Sequence, residues 1–423
     1  MDAEFPSNWE VDPLSKIASS FIGGGTPSTK HPEYWGGDIH WTTSKCMNSF
    51  YLSSGEKTIT KKGLDESSTH LIPKGNLIFG TRVGVGKIAI NKIDMAISQD
   101  LTGVIIDKEM YSPEFIAFQT MHPRIQSYFE NRTRGTTIKG IPRSDLEQIK
   151  YYIPPLPEQK MIASALYKAW VLREKVKAAI DALKEIKISM LSTLFSYGPV
   201  PFKLINTISM RETEVGGVRD DWSIVALGNY SKMDYGTSKK CNPGLNGVPV
   251  LRIPNIVRGS LHSVDLSSLD PMLVERNKYL EDGDLLFVRT NATRENIGKT
   301  MVYEKQFEKA SFASYLIRVK VDKSEFNPTY VHFFSQTEQG IAQLSGRASN
   351  AADGKFNINT QTLRTILLPK PSIDVQNQIV IILESIENRI AIEQQYLSSL
   401  EDLFSSLLDS LILGKVRVHD LEA

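Results

Sequence analysis

Two long stretches of the chain carry the apolar spacing of paired helices. Between Glu158 and Ser196, apolar residues recur at alternating spacings of three and four, which is the pattern of one strand of a coiled coil. Pro157 suits the first turn of this helix, and Gly198-Pro199 predicts its end. The predicted seam residues are Ile162, Ala165, Ala169, Leu172, Val176, Ala179, Leu183, Ile186 and Met190.

The same spacing returns near the end of the chain, and Gly414 predicts the end of this second helix. Its predicted seam is interrupted only by Glu393 and consists of Ile379, Leu383, Ile386, Ile390, Leu397, Leu400, Phe404, Leu407 and Leu411. Lysine and arginine dominate the first helix, whereas aspartate and glutamate dominate the second. We therefore expect the two helices to pair with each other.

The charges flanking the seams predict the direction of this pairing. In an antiparallel coiled coil Arg173 would face Glu401, and Lys187 would face Glu387. Exposed ion pairs contribute only about 0.2–1 kcal/mol each, so the apolar seam would supply the stability. The alternative is two independent amphipathic helices, each packed on its own domain.

Further apolar residues lie outside the predicted seams, and they exceed what one coiled-coil partner can cover. They are Leu166, Trp170, Ile180, Leu191, Ile381, Ile392, Tyr396, Leu403 and Leu408. We interpret them as a docking surface for other subunits.

The rest of the chain consists of two similar segments of short predicted strands and helices. Gly75-Asn76-Leu77-Ile78-Phe79 is echoed by Gly283-Asp284-Leu285-Leu286-Phe287, and Ser112-Pro113 is echoed by Asn327-Pro328 as a predicted helix start. The predicted fold class is α/β (mixed α+β), with two similar globular domains, two long helices in an antiparallel coiled coil and an internal pseudo-two-fold repeat. The predicted divisions are 1–152 for the first domain, 153–210 for the central helix and linker, 211–368 for the second domain, and 369–423 for the last helix and tail.

Composition limits the classes of function. The formal net charge is +1, so nucleic-acid binding would have to come from local basic patches. Cys46 and Cys241 are far apart in sequence, which argues against a disulfide framework and favours a reducing cytoplasm. The start of the chain has no signal-peptide pattern, and no apolar run approaches a membrane span, so we expect a cytoplasmic protein without a membrane partner.

The chain resembles the specificity subunits of Type I restriction-modification systems over nearly its whole length. The most specific piece is Pro154-Pro155-Leu156-Pro157-Glu158-Gln159-Lys160, which leads into the first long helix. Gly25-Thr26-Pro27 before Tyr34-Trp35-Gly36-Gly37 supports the resemblance, whereas the second junction, Pro369 to Gln376, departs from the usual form. The resemblance implies that each globular domain is a target-recognition domain for one half of a split, asymmetric double-stranded DNA site.

The resemblance also implies the remaining parts of the system. The paired helices would set the gap between the half-sites and dock two methyltransferase (modification) subunits. Restriction subunits that translocate DNA would join in the full complex. No cofactor is expected in this chain, because S-adenosylmethionine, ATP and magnesium would belong to the partner subunits.

We predict the DNA contacts from arginine, lysine and asparagine residues on glycine-rich or polar loops. Arginine and asparagine can bind guanine and adenine edges in a bidentate manner, and lysine suits phosphates. The candidates in the first domain are Arg82, Lys87, Arg132, Arg134, Lys139 and Arg143. Those in the second domain are Arg289, Asn291, Arg294, Lys299, Arg347, Asn350 and Lys355. For any one of these residues, a solvated charged loop is the alternative.

Enzyme motifs are incomplete in this chain. Ile297-Gly298-Lys299-Thr300 ends like a phosphate-binding loop, but Thr293 stands where that loop requires glycine. The histidines and cysteines lack metal-ligand spacing, so we expect a subunit without catalytic residues or a metal. A second function remains open, namely a coiled-coil scaffold whose globular domains bind protein partners.

Overall fold

The computed structural model describes residues 6–135, 140–244, 246–257, 266–350 and 354–417, and the chain forms two compact units. The first unit comprises Met1–Lys177 and Gln395–Ala423, and the second comprises Ala178–Gln394. Each unit therefore combines an α/β domain with part of both long helices. The domain boundaries expected from the sequence follow the helix ends, whereas the compact units divide within the helices.

The first unit contains two main sheets, one with strand order β2-β10-β7-β8-β4 and one with order β5-β3-β9-β6, and β1 pairs with β11. Its described strands are β1 (Glu10–Pro13), β2 (Ala18–Gly23), β3 (Trp35–Thr42), β4 (Tyr51–Leu52), β5 (Lys57–Ile59), β6 (His70–Ile72), β7 (Leu77–Gly80), β8 (Ile88–Asn91), β9 (Met95–Ile97), β10 (Leu101–Ile106) and β11 (Lys150–Ile153). Its helices are α1 (Leu14–Ile17), α2 (Lys61–Asp65), α3 (Pro113–Met121), α4 (Pro123–Arg132), α5 (Arg143–Glu147) and the start of the long helix α6 (Leu156–Tyr197).

The second unit contains sheets with strand orders β15-β23-β19-β21, β16-β18-β17-β22 and β20-β25-β24, and the pairs β12-β13 and β14-β26. Its described strands are β12 (Met210–Thr213), β13 (Gly216–Arg219), β14 (Ser223–Ala226), β15 (Ser231–Tyr235), β16 (Asn242–Pro243), β17 (Val248–Leu251), β18 (Ser267–Leu269), β19 (Asp284–Val288), β20 (Thr290–Asn291), β21 (Thr300–Tyr303), β22 (Ser311–Phe312), β23 (Leu316–Val321), β24 (Ser349–Asn350), β25 (Phe356–Asn357) and β26 (Leu367–Lys370). Its helices are α7 (Ile253–Val257), α8 (Pro328–Phe334), α9 (Glu338–Leu344), α10 (Thr360–Arg364) and the start of the long helix α11 (Ile373–Ile412).

The two units repeat one topology, which confirms the predicted mixed α/β fold and internal repeat. The antiparallel order β2-β10-β7-β8 in the first unit corresponds to β15-β23-β19-β21 in the second. The parallel pair β3-β9 corresponds to β17-β22. Each unit also starts a short helix at an N-cap side chain followed by proline. The Ser112 hydroxyl accepts from Phe115 N (3.3 Å), and the Asn327 carboxamide accepts from Thr329 N (2.8 Å).

Each hydrophobic core includes the adjacent parts of both long helices. In the first unit the core side chains Phe79, Phe115 and Phe118 pack in one cluster with Leu166 and Leu408. In the second unit the corresponding cluster combines Phe287, Tyr330 and Phe333 with Leu191 and Leu383. The helices are therefore integral to the core of each unit, which fixes their orientation relative to the sheets of that unit.

Both long helices end at the glycines that the sequence predicted. Gly198, with φ of +79°, follows α6, and Gly414, with φ of +67°, lies shortly after α11. Glycine adopts this left-handed conformation without the steric cost of a Cβ atom. The predicted seam residues Val176 (7% exposed), Leu383 (0%), Leu400 (7%) and Phe404 (6%) are buried. Within each unit the α6 and α11 segments contact each other, through Trp170 and Phe404 in the first unit and through Lys187 and Glu387 in the second. Leu183, Ile390 and Leu397 are half-buried.

Three of the nine predicted seam positions on α6 are wrong by one residue. Leu172 and Ile186 are 40% and 49% exposed, whereas the side chains of the residues that follow them, Arg173 and Lys187, are only 13% and 19% exposed. Ile180 is likewise buried in place of Ala179. Seam residues on a helix can follow each other at steps of three or four, so the spacing alone allows either of two adjacent positions. We chose Leu172 and Ile186 because they are apolar. The folded chain instead buries the aliphatic stems of Arg173 and Lys187.

The charged pairs also depart from prediction in the first unit. In the second unit Lys187 Nζ lies 2.5 Å from Glu387 Oε1, as the predicted register requires. In the first unit Glu401 pairs with Lys177 (3.4 Å) rather than with Arg173. The Arg173 guanidinium stacks on the rings of Trp170 (4.1 Å) and Phe404 (4.9 Å) and donates to Glu174 on its own helix.

The extra apolar residues on the helices differ in their exposure and form three groups. Leu166, Ile180, Leu191 and Leu408 are buried, so their expected place on an exposed docking surface is wrong. Trp170 is half-buried against Phe404. Ile381, Ile392, Tyr396 and Leu403 are 65%, 60%, 45% and 51% exposed, so these residues present apolar surface on α11.

Candidate nucleic-acid interface

In the first unit, the glycine-rich loop between β7 and β8 lies beside the described part of the basic segment 131–143. This segment contains four basic residues and no acidic residue, and it ends at the first residue of α5. Ile141 N donates to Thr81 O (2.9 Å), which joins the segment to the loop. The loop turns at Gly84 and Gly86, whose φ angles of +68° and +87° favour glycine. The exposed Arg82 side chain therefore lies on the same surface as the basic segment.

The basic segment is partly neutralised by the helix that follows it. Arg132 and Arg134 lie 3.7 and 3.3 Å from the Asp145 carboxylate, and Arg143 donates to Glu147 (2.7 Å). The arginine side chains nevertheless remain 52%, 70% and 62% exposed. Such surface pairs are weak, so a DNA phosphate can replace the carboxylate. The candidate Lys139 lies outside the described residues.

In the second unit, a small three-stranded sheet brings together the two stretches of chain that carry the predicted DNA contacts, one around β20 and one around β24 and β25. β25 pairs with both β20 and β24, so that Asn291 and Asn350 both lie opposite Phe356. Arg289 stacks over the ring of Tyr235 (4.6 Å), and its Nε donates to Asn357 Oδ1 (3.3 Å). This sheet places Arg289, Asn291 and Asn350 on one surface.

The remaining candidates in this unit differ in their accessibility. Arg294 donates to the carbonyls of Ser345 (3.0 Å) and Gly346 (2.9 Å), so its guanidinium holds the loop in place. Asn291 Oδ1 accepts from Thr293 N (2.9 Å), which stabilises a turn. The side chains of Arg347, Asn350 and Lys355 are exposed, and Arg347 makes a long hydrogen bond to Thr365 Oγ1 (3.4 Å). We infer that Arg294 holds the loop of this surface in position, and that the exposed side chains of Arg347, Asn350 and Lys355 are available to contact DNA.

Lys87 and Lys299, which we predicted as DNA contacts together with Arg82 and Arg289, each line a groove beside the long helices. Lys87 donates to Asn48 Oδ1 (3.3 Å) and lines a groove with Trp170 and Arg173 on α6. Lys299 lines a groove with Lys187 on α6 and Glu387 on α11. Both lysines therefore face the long helices of their own unit.

Two tyrosines that the sequence did not single out belong to the second surface. Tyr315 is 57% exposed, and its carbonyl accepts from Arg289 N (3.1 Å). Burial acts to raise the pKa of Tyr235, but hydrogen bonding to Thr360 and the charge of Arg289 hold that pKa below its ordinary value. Aromatic side chains beside arginine suit contact with bases. Their only signal in the sequence is an aromatic residue next to a predicted loop.

The described residues give no sign of a metal site or of a membrane segment. They contain no cluster of three or more His, Cys, Asp or Glu that could hold a metal ion. No helix among them is long and apolar enough to cross a membrane. The chemistry that these surfaces offer is hydrogen bonding from arginine, asparagine and lysine to phosphates and base edges.

The comparisons with known proteins agree with this repeated architecture. The family model for the Type I restriction modification DNA specificity domain matches residues 6–187 and again residues 220–402. The Type I restriction enzyme MjaIX specificity subunit of Methanocaldococcus jannaschii is 23% identical over 99% of this chain and 96% of that protein. The EcoKI specificity subunit of Escherichia coli is 24% identical over 89% of this chain and 82% of that protein.

A solved structure shows the same fold. The S subunit of a Type-I restriction-modification system from M. genitalium matches with a TM-score of 0.61 and 14% identity, covering 97% of this chain and 98% of that chain. At this identity the likeness concerns the fold alone. Because the family model matches both halves and most of the length, this chain belongs to the family of Type I restriction-modification DNA specificity proteins.

Proposed function

We propose that this chain is the specificity subunit of a Type I restriction-modification complex, in which each α/β domain reads one half of a bipartite, asymmetric DNA site. The observation that carries the proposal is that the two units share one topology but present different basic surfaces. Four strands of the main sheet and the parallel pair of the second sheet correspond between the units. In contrast, Arg82, Arg132 and Arg134 in the first unit have no residue-for-residue match in Arg289 and Asn350 of the second. Different side chains on equal scaffolds suit different half-sites.

The long helices have two roles in this proposal. They hold the two readers at a fixed separation, and they dock two modification subunits. The exposed apolar side chains of Ile381, Ile392 and Leu403 on α11 support a docking role, because such residues on a helix surface favour a protein partner. Restriction subunits that translocate DNA complete the assembly. S-adenosylmethionine, ATP and magnesium act in these partners. This chain contributes DNA recognition and no catalysis. The complex would act in the cytoplasm, where its DNA substrate lies.

The direct test is to co-express the chain with its modification subunit and to map methylated adenines across the host genome. We expect a motif of two short defined sequences around a gap of constant length. A stable complex that methylates no bipartite motif would contradict the proposal.

Salt dependence separates this function from the scaffold alternative. Phosphate contacts release counterions, so the affinity of the complex for its DNA site should fall steeply with added salt. The double variant Arg132→Ala with Arg134→Ala should weaken binding and reduce the salt slope by about two. Lys309→Ala with Lys203→Ala, which remove two exposed cations that are not among the predicted DNA contacts, serve as the matched control. An affinity for duplex DNA that does not change with salt concentration would favour a protein-binding scaffold.

A further inference from the structure

Each unit contains a groove where its α/β domain meets the long helices. The first groove, of about 430 Å³, lies in the first unit and is lined by residues that include Lys87, Trp170, Arg173 and Phe404. The second groove, of about 810 Å³, lies in the second unit and is lined by residues that include Lys187, Lys299, His332, Glu384 and Glu387. The second groove is therefore nearly twice as large.

The two grooves occupy equivalent places in the repeated fold. Gly86-Lys87 before β8 corresponds to Gly298-Lys299 before β21. Trp170 follows the buried Gln159 on α6 by the same number of residues as Glu387 follows the buried Gln376 on α11. The residues facing them across the helix pair are also equivalent. Phe404 packs on Trp170 with ring centres 5.9 Å apart, and Lys187 pairs with Glu387 at 2.5 Å.

The chemistry at these equivalent places differs completely. In the first groove aromatic rings fill the junction, because Phe50 stacks on Phe118 (4.4 Å) and lies 5.9 Å from Trp170. In the second groove a polar chain replaces the rings. Lys187 donates to Gln336 Oε1 (2.7 Å), and Gln336 Nε2 lies 2.9 Å from His332 Nε2. Aromatic rings therefore pack at the junction in the first unit, where the second unit has a chain of polar side chains.

The grooves also carry opposite charge. The charged side chains lining the first groove are Lys87 and Arg173, and no carboxylate joins them. The second groove is lined by four carboxylates, Glu295, Glu304, Glu384 and Glu387, and by two lysines. Lys187 already pairs with Glu387, and within the described chain neither Glu304 nor Glu384 forms an ion pair. Burial raises the pKa of Glu384, and the charges of Glu304 and Glu387 raise it further.

The second groove is continuous with the exposed apolar surface of α11. Ile381 is one helical turn before Glu384 and is 65% exposed. A partner that covers Ile381 therefore reaches the groove. Because the groove holds four carboxylates against two lysines, and Glu304 and Glu384 form no ion pair within the described chain, a cationic side chain from that partner would relieve the repulsion between them.

We propose that the second groove binds an arginine or lysine side chain of a modification subunit between Glu304 and Glu384, and that the first groove excludes it. This inference rests on the proposed function. Two identical modification subunits would then make different contacts with the two units of the chain, because the equivalent groove in the first unit presents Lys87 and Arg173.

Site-specific cross-linking in the assembled complex tests the occupant. A photo-cross-linking residue at Gln306, which is exposed and lines the second groove, should capture a modification-subunit peptide that contains arginine or lysine. The same residue at Asn48 in the first groove should capture a different peptide or none. Capture of the same peptide at both positions, or of no peptide at Gln306, would overturn the proposal.

Charge-neutral variants test the energetics in the full chain. Glu304→Gln with Glu384→Gln should weaken the binding of one of the two modification subunits by about tenfold. Glu308→Gln with Glu212→Gln, which neutralise exposed glutamates outside the groove, should leave both unchanged. Equal affinity in all three proteins would reject the groove as a binding site while leaving the specificity function intact. A wild-type chain that binds no modification subunit would instead contradict the proposed function itself.

Discussion

In each unit, one buried glutamine joins the α/β domain to the long helix that follows it, and the two glutamines make equivalent hydrogen bonds. Gln159 accepts from Ser112 N (2.8 Å) and donates to the carbonyls of Met110 (3.1 Å) and Pro154 (2.9 Å). Gln376 accepts from Asn327 N (3.0 Å) and donates to the carbonyls of Glu325 (2.9 Å) and Pro371 (3.0 Å). Both side chains are fully buried. Each amide thus satisfies backbone groups from two segments that are distant in sequence.

We expect Gln376→Met to destabilise the second unit by about 2–4 kcal/mol. Methionine has nearly the same length but leaves Asn327 N and two carbonyl oxygens without their partners. Hydrogen exchange measured by mass spectrometry on the full chain would report the loss in the second unit. Gln378→Met is the control, because this exposed residue lies on the same helix turn. A Gln376→Met chain with wild-type protection would show that the amide is dispensable.

His332 makes the stability of the second unit depend on pH. Burial lowers the pKa of His332 to about 4, and the Lys187 charge acts in the same direction against the opposing Glu387. Its Nδ1 lies 2.7 Å from Thr300 Oγ1, and its Nε2 faces the Gln336 amide, an arrangement that suits the neutral ring. The folded state therefore binds a proton less readily than the unfolded chain does.

Acidification from pH 6.5 towards pH 4 should accordingly destabilise the second unit, by about 2 kcal/mol once partial solvent access is allowed for. Above pH 6.5 this stabilisation is fully present. His332→Gln should remove this part of the pH dependence, as measured by hydrogen exchange at pH 7.5 and pH 5. His31→Gln, which changes an exposed histidine of the first unit, is the control. An unchanged pH dependence in His332→Gln would contradict this assignment.

At the scale of elements, the sequence predicted the long helices better than it predicted their contacts. Helix ends depend on local signals such as Pro157 and Gly198, so they were predicted correctly. The side of α6 that is buried depends on the partner surface. The Arg173 side chain is mostly covered there because Trp170 and Phe404 provide rings for its guanidinium. An apolar pattern cannot indicate a cationic side chain in a seam.

The DNA-binding candidates show the same limit of sequence reasoning. Lys87 and Lys299 sit next to glycine-rich loops like Arg82 and Arg289, but the fold turns them towards the helices. The acids that pair with Arg132 and Arg143 come from α5, immediately after the segment that contains no acid. Loop residues near each other in sequence can thus face different sides of a unit. Only the three-dimensional arrangement separates them.

We expect a coupling free energy of about 0.2–1 kcal/mol between Lys177 and Glu401, because the pair is 3.4 Å apart and about half exposed. Arg173 and Glu401 should show almost none, since Arg173 is engaged with aromatic rings. Double-mutant cycles on unfolding of the first unit, with Lys177→Ala, Arg173→Ala and Glu401→Ala, measure both values. Stronger coupling of Glu401 to Arg173 than to Lys177 would contradict the pairing in the structure and favour the register that the sequence alone predicted.

At the scale of the whole molecule, the repeat makes the two readers separable in function. The sheets, the capped helices and the buried glutamines recur in both units, while the proposed DNA surfaces differ. A change confined to one surface should therefore alter one half-site only. We expect Asn350→Ala to relax or change the half-site read by the second unit and to leave the other half unchanged, as seen in the map of methylated adenines. Loss of both halves together would indicate a general folding defect.

The separation of the readers should follow the length of the helices. An insertion of seven residues into both α6 and α11 preserves the phase of the seam and adds about 10 Å to each helix. At about 3.4 Å per base pair, the gap in the methylated motif should widen by roughly three base pairs, with both half-sites unchanged. The same insertion in α6 alone should abolish methylation, because the seam residues would no longer match those of α11. A gap that keeps its length after the double insertion would mean that the helices do not set it.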